Sequence, residues 1–332
     1  MRRNPGIFKP VMEQNKNIDW ALGAFSALKS GMAKAIVGHE ELIEALSLAL
    51  VSGQHVLLEG VPGVAKTLAV RTLGRLMSLE FSRIQFTPDL LPSDLVGTQI
   101  YNPQTGQFSV HTGPVFANLV LADEINRAPA KVQSALLESM EEKQVTLGGA
   151  THALPKPFMV LATQNPIEQE GTYPLPEAQL DRFMFKILVG YPSRDEELAV
   201  LRLKKEADPE IYPVLTGEDI AALRELAATV HVDPKIEEYI VDLVRTTRNP
   251  GAIDPELAET VRWGAGPPVV FFLRAARARA LMQGRSFVLP ADVQAVAPWI
   301  LRHRILLSYE ALADGMTPDQ AVARIVAGVP AP

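Results

Sequence analysis

Four polar clusters between residues 57 and 183 contain the residue types that bind and cleave a nucleoside triphosphate. In chain order they are Gly60-Val-Pro-Gly-Val-Ala-Lys66-Thr67, Leu119-Val-Leu-Ala-Asp123-Glu124, Ala162-Thr-Gln-Asn165 and Leu180-Asp-Arg182-Phe183. Each cluster follows or borders an apolar run that is typical of a buried strand. One of them alone would indicate little, but all four in this order predict ATP hydrolysis.

The first cluster is typical of a phosphate-binding loop. In such a loop, backbone N–H groups and the start of the following helix point at phosphate oxygens, a lysine neutralises charge and the next hydroxyl ligates magnesium. Alanine stands at position 65, where a glycine is usual, and a plain glycine–proline turn before a helix is the alternative interpretation. The predicted nucleotide contacts here are Gly60, Val61, Pro62, Gly63, Val64, Ala65, Lys66, Thr67 and Leu68.

The second cluster ends a predicted buried strand with two carboxylates, Asp123 and Glu124. Ligands of open α/β sheets bind at the carboxyl ends of the strands, so both acids should face the nucleotide. We expect Asp123 to hold Mg²⁺ together with Thr67, and Glu124 to orient and deprotonate the attacking water. A solvated acidic turn is the alternative for an isolated Asp-Glu pair.

The last two clusters offer an amide and an arginine. Asn165 ends a predicted strand and could hold the attacking water, although an asparagine before a proline is also a common turn residue. Arg182 could reach the terminal phosphate bound by a neighbouring subunit, or it could form a salt bridge with Asp181 or another acid. Arg127 is a second candidate for the same role.

The elements that must position these residues follow from the hydrophobic pattern. Strands are predicted at residues 55–58, 119–122 and 158–162, and helices at 21–34, 40–50, 67–77 and 129–142. Alternating strands and helices predict a parallel sheet covered on both faces. Two hairpins are predicted at residues 98–112 and 144–154, the second with Gly148 and Gly149 in its turn.

Beyond residue 192 only helical periodicity remains, at residues 195–205, 218–230, 236–248, 269–282, 291–306 and 318–326. The predicted organisation is an α/β fold with three parts. They are a flexible tail (1–17), a nucleotide-binding α/β domain (18–192) and a smaller all-α domain (193–332).

Composition excludes several classes of protein. The chain has 332 residues, of which 47% are hydrophobic and 21% charged, and it has no apolar run long enough to span a bilayer. It has no cysteine, which excludes disulfides and thiolate chemistry, and we expect a cytoplasmic location. A net charge of −6 disfavours sequence-blind binding to nucleic acid.

The quoted clusters, together with their surroundings, resemble the MoxR family of AAA+ ATPases. The most specific segments are Leu58-Glu-Gly-Val-Pro-Gly-Val-Ala-Lys-Thr67, Leu121-Ala-Asp-Glu-Ile-Asn-Arg-Ala-Pro129, Ala162-Thr-Gln-Asn-Pro-Ile-Glu-Gln-Glu-Gly-Thr-Tyr-Pro174 and Leu175-Pro-Glu-Ala-Gln-Leu-Asp-Arg-Phe183. The alanine at position 65 is itself similar to the loop of that family. The resemblance extends over nearly all of residues 36–330.

The resemblance implies an AAA+ core with a helical lid, assembled as a hexameric ring that uses ATP and Mg²⁺. It implies that Asn165 is sensor 1, that Arg182 is an arginine finger and that Val37 and Gly38 contact the adenine base. It also implies that the two hairpins are inserts facing the pore or one surface of the ring. Family members remodel or mature partner proteins in a chaperone-like manner, often partners with von Willebrand factor A domains.

One segment departs from the family pattern. Pro268 occupies the position where the lid usually has its sensor 2 arginine. Either Arg274 or Arg262 replaces that arginine, with Arg274 the predicted nucleotide contact, or the protein lacks sensor 2. The basic run from Arg274 to Arg279 could also be a solvated helix face.

Two other functions remain open from the sequence. Loss of sensor 2 would suit a scaffold that is gated by nucleotide but turns over little. Related AAA+ branches with similar hairpins translocate DNA, which leaves a nucleic-acid motor as a further alternative.

Overall fold

The computed structural model describes residues 16–61, 63–64, 66–166, 171–203 and 210–332. Of the predicted tail, only Lys16 and Asn17 lie within this range. Asn17 is the N-cap of the first helix, and its side-chain oxygen accepts a hydrogen bond from the N–H of Trp20 at 2.9 Å. This bond satisfies one of the N–H groups that the first helical turn leaves unpaired.

The strands are β1 (His55–Gly60), β2 (Phe81–Gln85), β3 (Gly97–Asn102), β4 (Gln107–Thr112), β5 (Leu119–Asp123), β6 (Gln144–Leu147), β7 (Ala150–Ala153), β8 (Met159–Gln164), β9 (Phe183–Val189), β10 (Val261–Trp263) and β11 (Leu306–Leu307). The helices are α1 (Ile18–Ala35), α2 (Glu40–Ser52), α3 (Lys66–Leu76), α4 (Pro92–Val96), α5 (Ala130–Glu142), α6 (Glu177–Leu180), α7 (Arg194–Leu203), α8 (Gly217–Thr229), α9 (Pro234–Arg248), α10 (Pro255–Thr260), α11 (Val269–Met282), α12 (Pro290–Leu301), α13 (Tyr309–Ala313) and α14 (Pro318–Gly328).

The main sheet has five parallel strands in the order β2-β5-β8-β1-β9. The predicted parallel sheet between helices is therefore confirmed, and its three predicted strands are β1, β5 and β8. Strand β2 was not predicted because it has no apolar run: it is an outer strand of the sheet, and only Ile84 of its five residues is buried. Strand β9 is a further strand that the sequence does not predict.

Both predicted hairpins are present, as β3 with β4 and β6 with β7. Gly148 and Gly149 form the second turn with φ values of 57° and 82°, a backbone conformation that favours glycine. The Gln99 side chain of the first hairpin lies against Gly148, where any Cβ would overlap it. The two hairpins therefore contact each other.

The region after residue 192 is helical, as predicted, except that β10 and β11 form a short antiparallel pair. The helix predicted for residues 291–306 is α12, which ends at Leu301, so its predicted C-terminal end is wrong. The helix predicted for residues 195–205 is α7, and residues 204–205 lie outside the described range. Helices α10 and α13 were not predicted, because each has only five or six residues.

The sheet and the helical region share buried core. One hydrophobic cluster joins Met32 of α1, Leu46 of α2 and Leu73 of α3 to Ile240 of α9 and Phe272 of α11. A second cluster covers the other sheet face below α5 and the second hairpin. The proposed domain boundary near residue 192 thus falls between regions that pack together. No helix in the described part of the chain is long and apolar enough to cross a membrane.

Arg304 lies just after α12 and bonds to the segment that leads into β9. Its Nε donates to Asp181 Oδ1 at 2.6 Å, and its Nη2 donates to the carbonyl oxygens of Asp181 and Phe183, both at 2.9 Å. The side chain is only 3% exposed. Burial lowers the pKa of Arg304, and the Asp181 carboxylate opposes this effect. This buried guanidinium joins the helical region to the start of β9.

We predict that Arg304→Ala lowers the free energy of unfolding by roughly 3 kcal/mol, because it leaves several buried carbonyl groups without donors. Urea denaturation followed by circular dichroism would measure the loss. Arg75→Ala, at an exposed arginine of α3, is the control and should cost less than about 0.5 kcal/mol. Equal stability of the two variants would contradict the structural role of Arg304.

Candidate nucleotide and magnesium site

The first cluster joins the end of β1 to the start of α3. Gly60 ends β1 so close to β9 that a Cβ would lie 2.3 Å from the carbonyl oxygen of Val189. Gly63 has a φ of 86° and open space around it. Val64 is buried, whereas Val61, Thr67 and Leu68 are half-buried. The predicted contacts Pro62 and Ala65 lie outside the described residues.

Lys66 begins α3 and faces the two predicted acids. Its Nζ donates to the carbonyl oxygen of Gly60 at 2.6 Å, so the side chain folds back over the loop. Burial lowers the pKa of Lys66, and the negative charges of Asp123, Glu124 and Glu59 oppose that effect. A lysine held near carboxylates at a helix N-terminus has the charge and position to bind phosphate.

Asp123 and Glu124 meet one hydroxyl of the neighbouring strand. The Thr163 hydroxyl donates to Asp123 Oδ1 at 2.6 Å, and the Glu124 N–H donates to Thr163 Oγ1 at 2.9 Å. Glu124 has left-handed backbone angles, φ 56° and ψ 52°, which few non-glycine residues adopt. Thr163 therefore fixes both acids. In the sequence it stands within the third cluster, where only Asn165 has a predicted role.

Strand β2 supplies two further contacts that the sequence analysis missed. Arg83 donates from Nε and Nη2 to Asp123 Oδ2 at 3.0 and 2.5 Å. Gln85 Nε2 donates to Glu124 Oε2 at 2.9 Å. Because β2 itself was not predicted, nothing in the sequence indicated that these side chains reach the acids.

Arg127 also belongs to this group. Its Nη1 donates to Glu124 Oε2 at 3.1 Å, within the same chain. Arg127 thus lies beside the proposed catalytic base of its own chain, and its action on a neighbouring subunit stays a prediction.

Asn165 follows β8, the strand between β1 and β5. It is 8% exposed, which separates it from an ordinary surface turn residue. Since neighbouring parallel strands end at one edge of the sheet, Asn165 lies between the phosphate loop and the acid pair.

The predicted adenine contacts lie near the same edge. Gly38 has a φ of 70°, and the carboxylate of Glu196 lies directly over it. Beside it, His39, Leu42, Val189 and Tyr191 line part of a cavity of about 180 Å³. Val189 pairs with Gly60, so this cavity adjoins the phosphate loop. The positions of Val37 and Gly38 therefore suit the predicted contact.

The donors present also suit Mg²⁺. Thr67 offers a hydroxyl and Asp123 a carboxylate, and hard oxygen donors are those that this ion prefers. Among the described residues there is no group of three or more His, Asp or Glu side chains that could hold a metal alone. The arrangement matches a metal bound mainly by phosphate oxygens and water, with few protein ligands.

Comparisons with known proteins agree with this geometry. The family model described as ATPase family associated with various cellular activities (AAA) matches residues 55–185, and the AAA lid domain model matches residues 257–325. Chaperone MoxR1 of Mycobacterium tuberculosis is 50% identical over 301 residues, which cover 90% of this chain and 80% of that protein. Protein MoxR of Methylorubrum extorquens is 33% identical over 339 residues, 95% and 96% of the two chains.

The chain belongs to the MoxR family of AAA+ ATPases. A crystal structure of a protein from Cytophaga hutchinsonii has the same fold, with a TM-score of 0.89 and 46% identity. That match covers 95% of this chain and 97% of the other.

Arg182, the predicted arginine finger of this MoxR-family chain, lies where the strands of the sheet begin, at the end opposite the phosphate loop. It donates from Nε and Nη2 to Glu141 Oε2 at 3.0 and 2.7 Å, so the salt-bridge alternative holds with Glu141 rather than Asp181. Phe183 pairs with His55 at the start of β1, and Gly60 ends that strand. Five residues of strand separate the two points by roughly 16 Å, which excludes contact with the phosphate loop of the same chain.

Arg274 lies on α11, near a group of basic side chains. Burial lowers the pKa of Lys143, and the nearby positive charges of Arg224, Arg274 and Lys156 lower it further. Lys143 in turn acts on buried His55, whose pKa burial lowers to about 4. This basic group thus adjoins the start of β1. The predicted contact of Arg274 with the nucleotide stays a prediction.

The segment around Pro268 shows where the lid differs. Pro268 directly precedes α11 as its N-cap. Arg248 of α9 donates to the carbonyl oxygens of Ala265 and Gly266 at 2.8 and 2.9 Å, which fixes this segment from within the lid. Arg262 lies over the ring of Tyr309, 5.8 Å from its centroid. Neither arginine forms a hydrogen bond with the part of the phosphate loop that the structure describes.

We predict that Asp123→Ala weakens binding of ADP in the presence of Mg²⁺ by about tenfold, because the site loses a metal ligand. Titration of a fluorescent ADP analogue with and without Mg²⁺ measures the effect. Asp314→Ala, at an exposed acid of the helical region, should bind like the wild type. A loss of affinity that is equally large without Mg²⁺ would contradict the metal-binding role.

Proposed function

We propose that this protein hydrolyses ATP to ADP and phosphate with Mg²⁺, and that it does so in a ring of identical subunits that remodels partner proteins. The observation that supports the chemistry is the meeting of Lys66, Asp123 and Glu124 at one edge of the sheet. Lys66 begins α3, Asp123 ends β5 and Glu124 follows directly after it. Together they form the donor set of a phosphoryl-transfer site.

Each residue has a distinct role in the proposed reaction. Backbone N–H groups of residues 60–67 and the Lys66 ammonium bind the β- and γ-phosphates. Thr67 and Asp123 hold Mg²⁺, which neutralises phosphate charge when it is bound. Glu124 accepts a proton from the attacking water, and Asn165 orients that water by a hydrogen bond.

The distance between Arg182 and the phosphate loop supports a ring. The loop lies at the carboxyl edge of the sheet, and Arg182 lies at the amino edge. One chain therefore carries the phosphate loop at one end of its sheet and the arginine that would complete a neighbour's site at the other end. Head-to-tail contacts between different edges of identical subunits close into rings when the rotation between subunits permits it. A hexamer is the state expected for the family.

The action on partners rests on the hairpins and on relatives. The first hairpin is exposed on most of both faces, with Phe108 66% exposed and in ring contact with Tyr101. The relative from Mycobacterium tuberculosis is named as a chaperone. We infer a chaperone-like activity on a protein client, with a von Willebrand factor A domain as the expected kind of client.

A scaffold that binds nucleotide but turns over slowly is the second candidate. It is favoured by Pro268 at the position of the expected sensor 2 arginine. Tight ATP binding without phosphate release, even with a client present, would establish it in place of the remodelling ATPase.

We predict that Lys66→Ala abolishes tight ATP binding, whereas Glu124→Gln retains binding and lowers the hydrolysis rate by about 100-fold, since it removes the base. Phosphate release and binding of a fluorescent ATP analogue measure the two effects. Lys29→Ala, at an exposed lysine of α1, is the matched control. Wild-type hydrolysis by both site variants would contradict the proposed function.

We predict that Arg182→Ala binds ATP normally but hydrolyses it about 10³-fold more slowly, because the arginine acts on a neighbouring subunit. Mixing Arg182→Ala with Lys66→Ala subunits should restore some activity, since some interfaces then combine an intact loop with an intact arginine. Glu141→Ala removes the ion pair within the chain and should keep the wild-type rate. If Glu141→Ala is as slow as Arg182→Ala, or no mixture recovers activity, Arg182 acts within its own chain.

A further inference from the structure

Asp123, the proposed metal-binding acid, forms an ion pair with Arg83. Arg83 reaches from β2 and directs two N–H donors, from Nε and Nη2, to Asp123 Oδ2 at 3.0 and 2.5 Å. The Thr163 hydroxyl donates to the other oxygen, Oδ1, at 2.6 Å. Both carboxylate oxygens of Asp123 are thus engaged, and the side chain is 14% exposed.

A bound Mg²⁺ needs the same carboxylate. This ion requires near-ideal octahedral geometry and holds most of its waters, so Asp123 must bind either the metal or a metal-bound water. Two guanidinium donors on Oδ2 occupy the lone pairs that such a contact uses. The guanidinium and a hydrated metal ion are also both cations, so they would repel each other if both lay against Asp123.

Arg83 can leave more easily than Thr163. Its side chain is 50% exposed and lies on the edge strand, so the guanidinium can turn into solvent. The gain from a half-exposed ion pair is small, and a divalent cation with a triphosphate outweighs it. Thr163, by contrast, is 1% exposed and fixed between the two acids.

Gln85 extends this contact to the proposed base. Its Oε1 accepts a hydrogen bond from Arg83 Nη2 at 3.2 Å, while its Nε2 donates to Glu124 Oε2 at 2.9 Å. Departure of Arg83 from Asp123 therefore removes one of the two side-chain contacts that fix Gln85. The metal acid and the base are coupled through β2.

We propose that Arg83 competes with Mg²⁺ for Asp123 and so sets the magnesium concentration at which the site loads with nucleotide. Arg83 is a positioning residue, because it acts through Asp123 and not on the phosphates. Before loading, it neutralises the acid, and on loading it gives way to the metal. The inference rests on the proposed function, since it requires Mg²⁺–nucleotide to bind at Asp123.

The test compares variants of the full-length protein in titrations of a fluorescent ADP analogue at a series of MgCl₂ concentrations. The quantity measured is the Mg²⁺ concentration at which half of the metal-dependent gain in affinity is reached. We expect Arg83→Gln to lower that concentration by about three- to tenfold, because the competing cation is gone. Arg83→Lys keeps a charge with fewer aligned donors and should give an intermediate value. Arg75→Gln removes an arginine from exposed surface and should give the wild-type value.

A double variant identifies Asp123 as the point of action. When Asp123→Asn removes the contested carboxylate, adding Arg83→Gln should no longer change the magnesium requirement. An unchanged or higher magnesium requirement in the Arg83→Gln single variant would overturn the proposal, because it would make Arg83 a permanent support of Asp123. A further shift in the double variant would overturn it too, since Arg83 would then act elsewhere.

Two controls separate other failures from this one. Circular dichroism establishes that each variant is folded, and if Arg83→Gln unfolds, the position of Arg83→Lys relative to the wild type decides the question. If the wild type itself binds no nucleotide at any Mg²⁺ concentration, the proposed function fails. If the wild type shows a clear magnesium dependence that Arg83→Gln and Arg83→Lys both leave unchanged, only the role of Arg83 fails.

Discussion

The alignment of adjacent parallel strands is the constraint on which the candidate site depends. Strands β5, β8 and β1 lie side by side, and each ends in a polar residue or loop that belongs to the site. Because the strands are parallel and in register, Asp123, Asn165 and the phosphate loop reach the same edge. A shift of one strand by a single residue would turn its side chains to the other face and separate these groups.

At that edge, each carboxylate of the acid pair forms an ion pair with an arginine. Two carboxylates, Asp123 and Glu124, are each paired with an arginine, Arg83 and Arg127, while Lys66 remains close to both acids. Thr163 adds a hydroxyl that fixes the relative position of the acids. Because these acids are hydrogen-bonded within the chain, binding of nucleotide and metal to them must exchange contacts rather than only add them.

The other edge of the sheet joins the AAA+ core to the lid. Asp181 pairs with Arg304 from the segment after α12, and the adjacent Arg182 pairs with Glu141 at the end of α5. The residue proposed to act on a neighbouring subunit thus lies next to a buried link between the two regions. Any movement of the helical region that disturbs Arg304 would also act on the backbone that positions Arg182.

The sequence by itself determined the fold class, the family and the residues of the phosphate loop and acid pair, because these depend on local features. An apolar run followed by polar residues at fixed spacing identifies β1, β5 and β8 and their functional ends, and the paired glycines identify the second hairpin. These signals lie within a few residues of each other along the chain.

The tertiary structure decided what depends on neighbours far apart in the sequence. Arg83 and Gln85 lie about 40 residues before the acids they contact and on an edge strand without an apolar pattern. Arg304, just after α12, hydrogen-bonds to residues more than 100 positions away. Arg182 was assigned by its motif, and only the register of β9 with β1 shows that it lies far from the phosphate loop of its own chain. Side-chain pairing between distant segments has no local sequence signature, and only the packed chain specifies it.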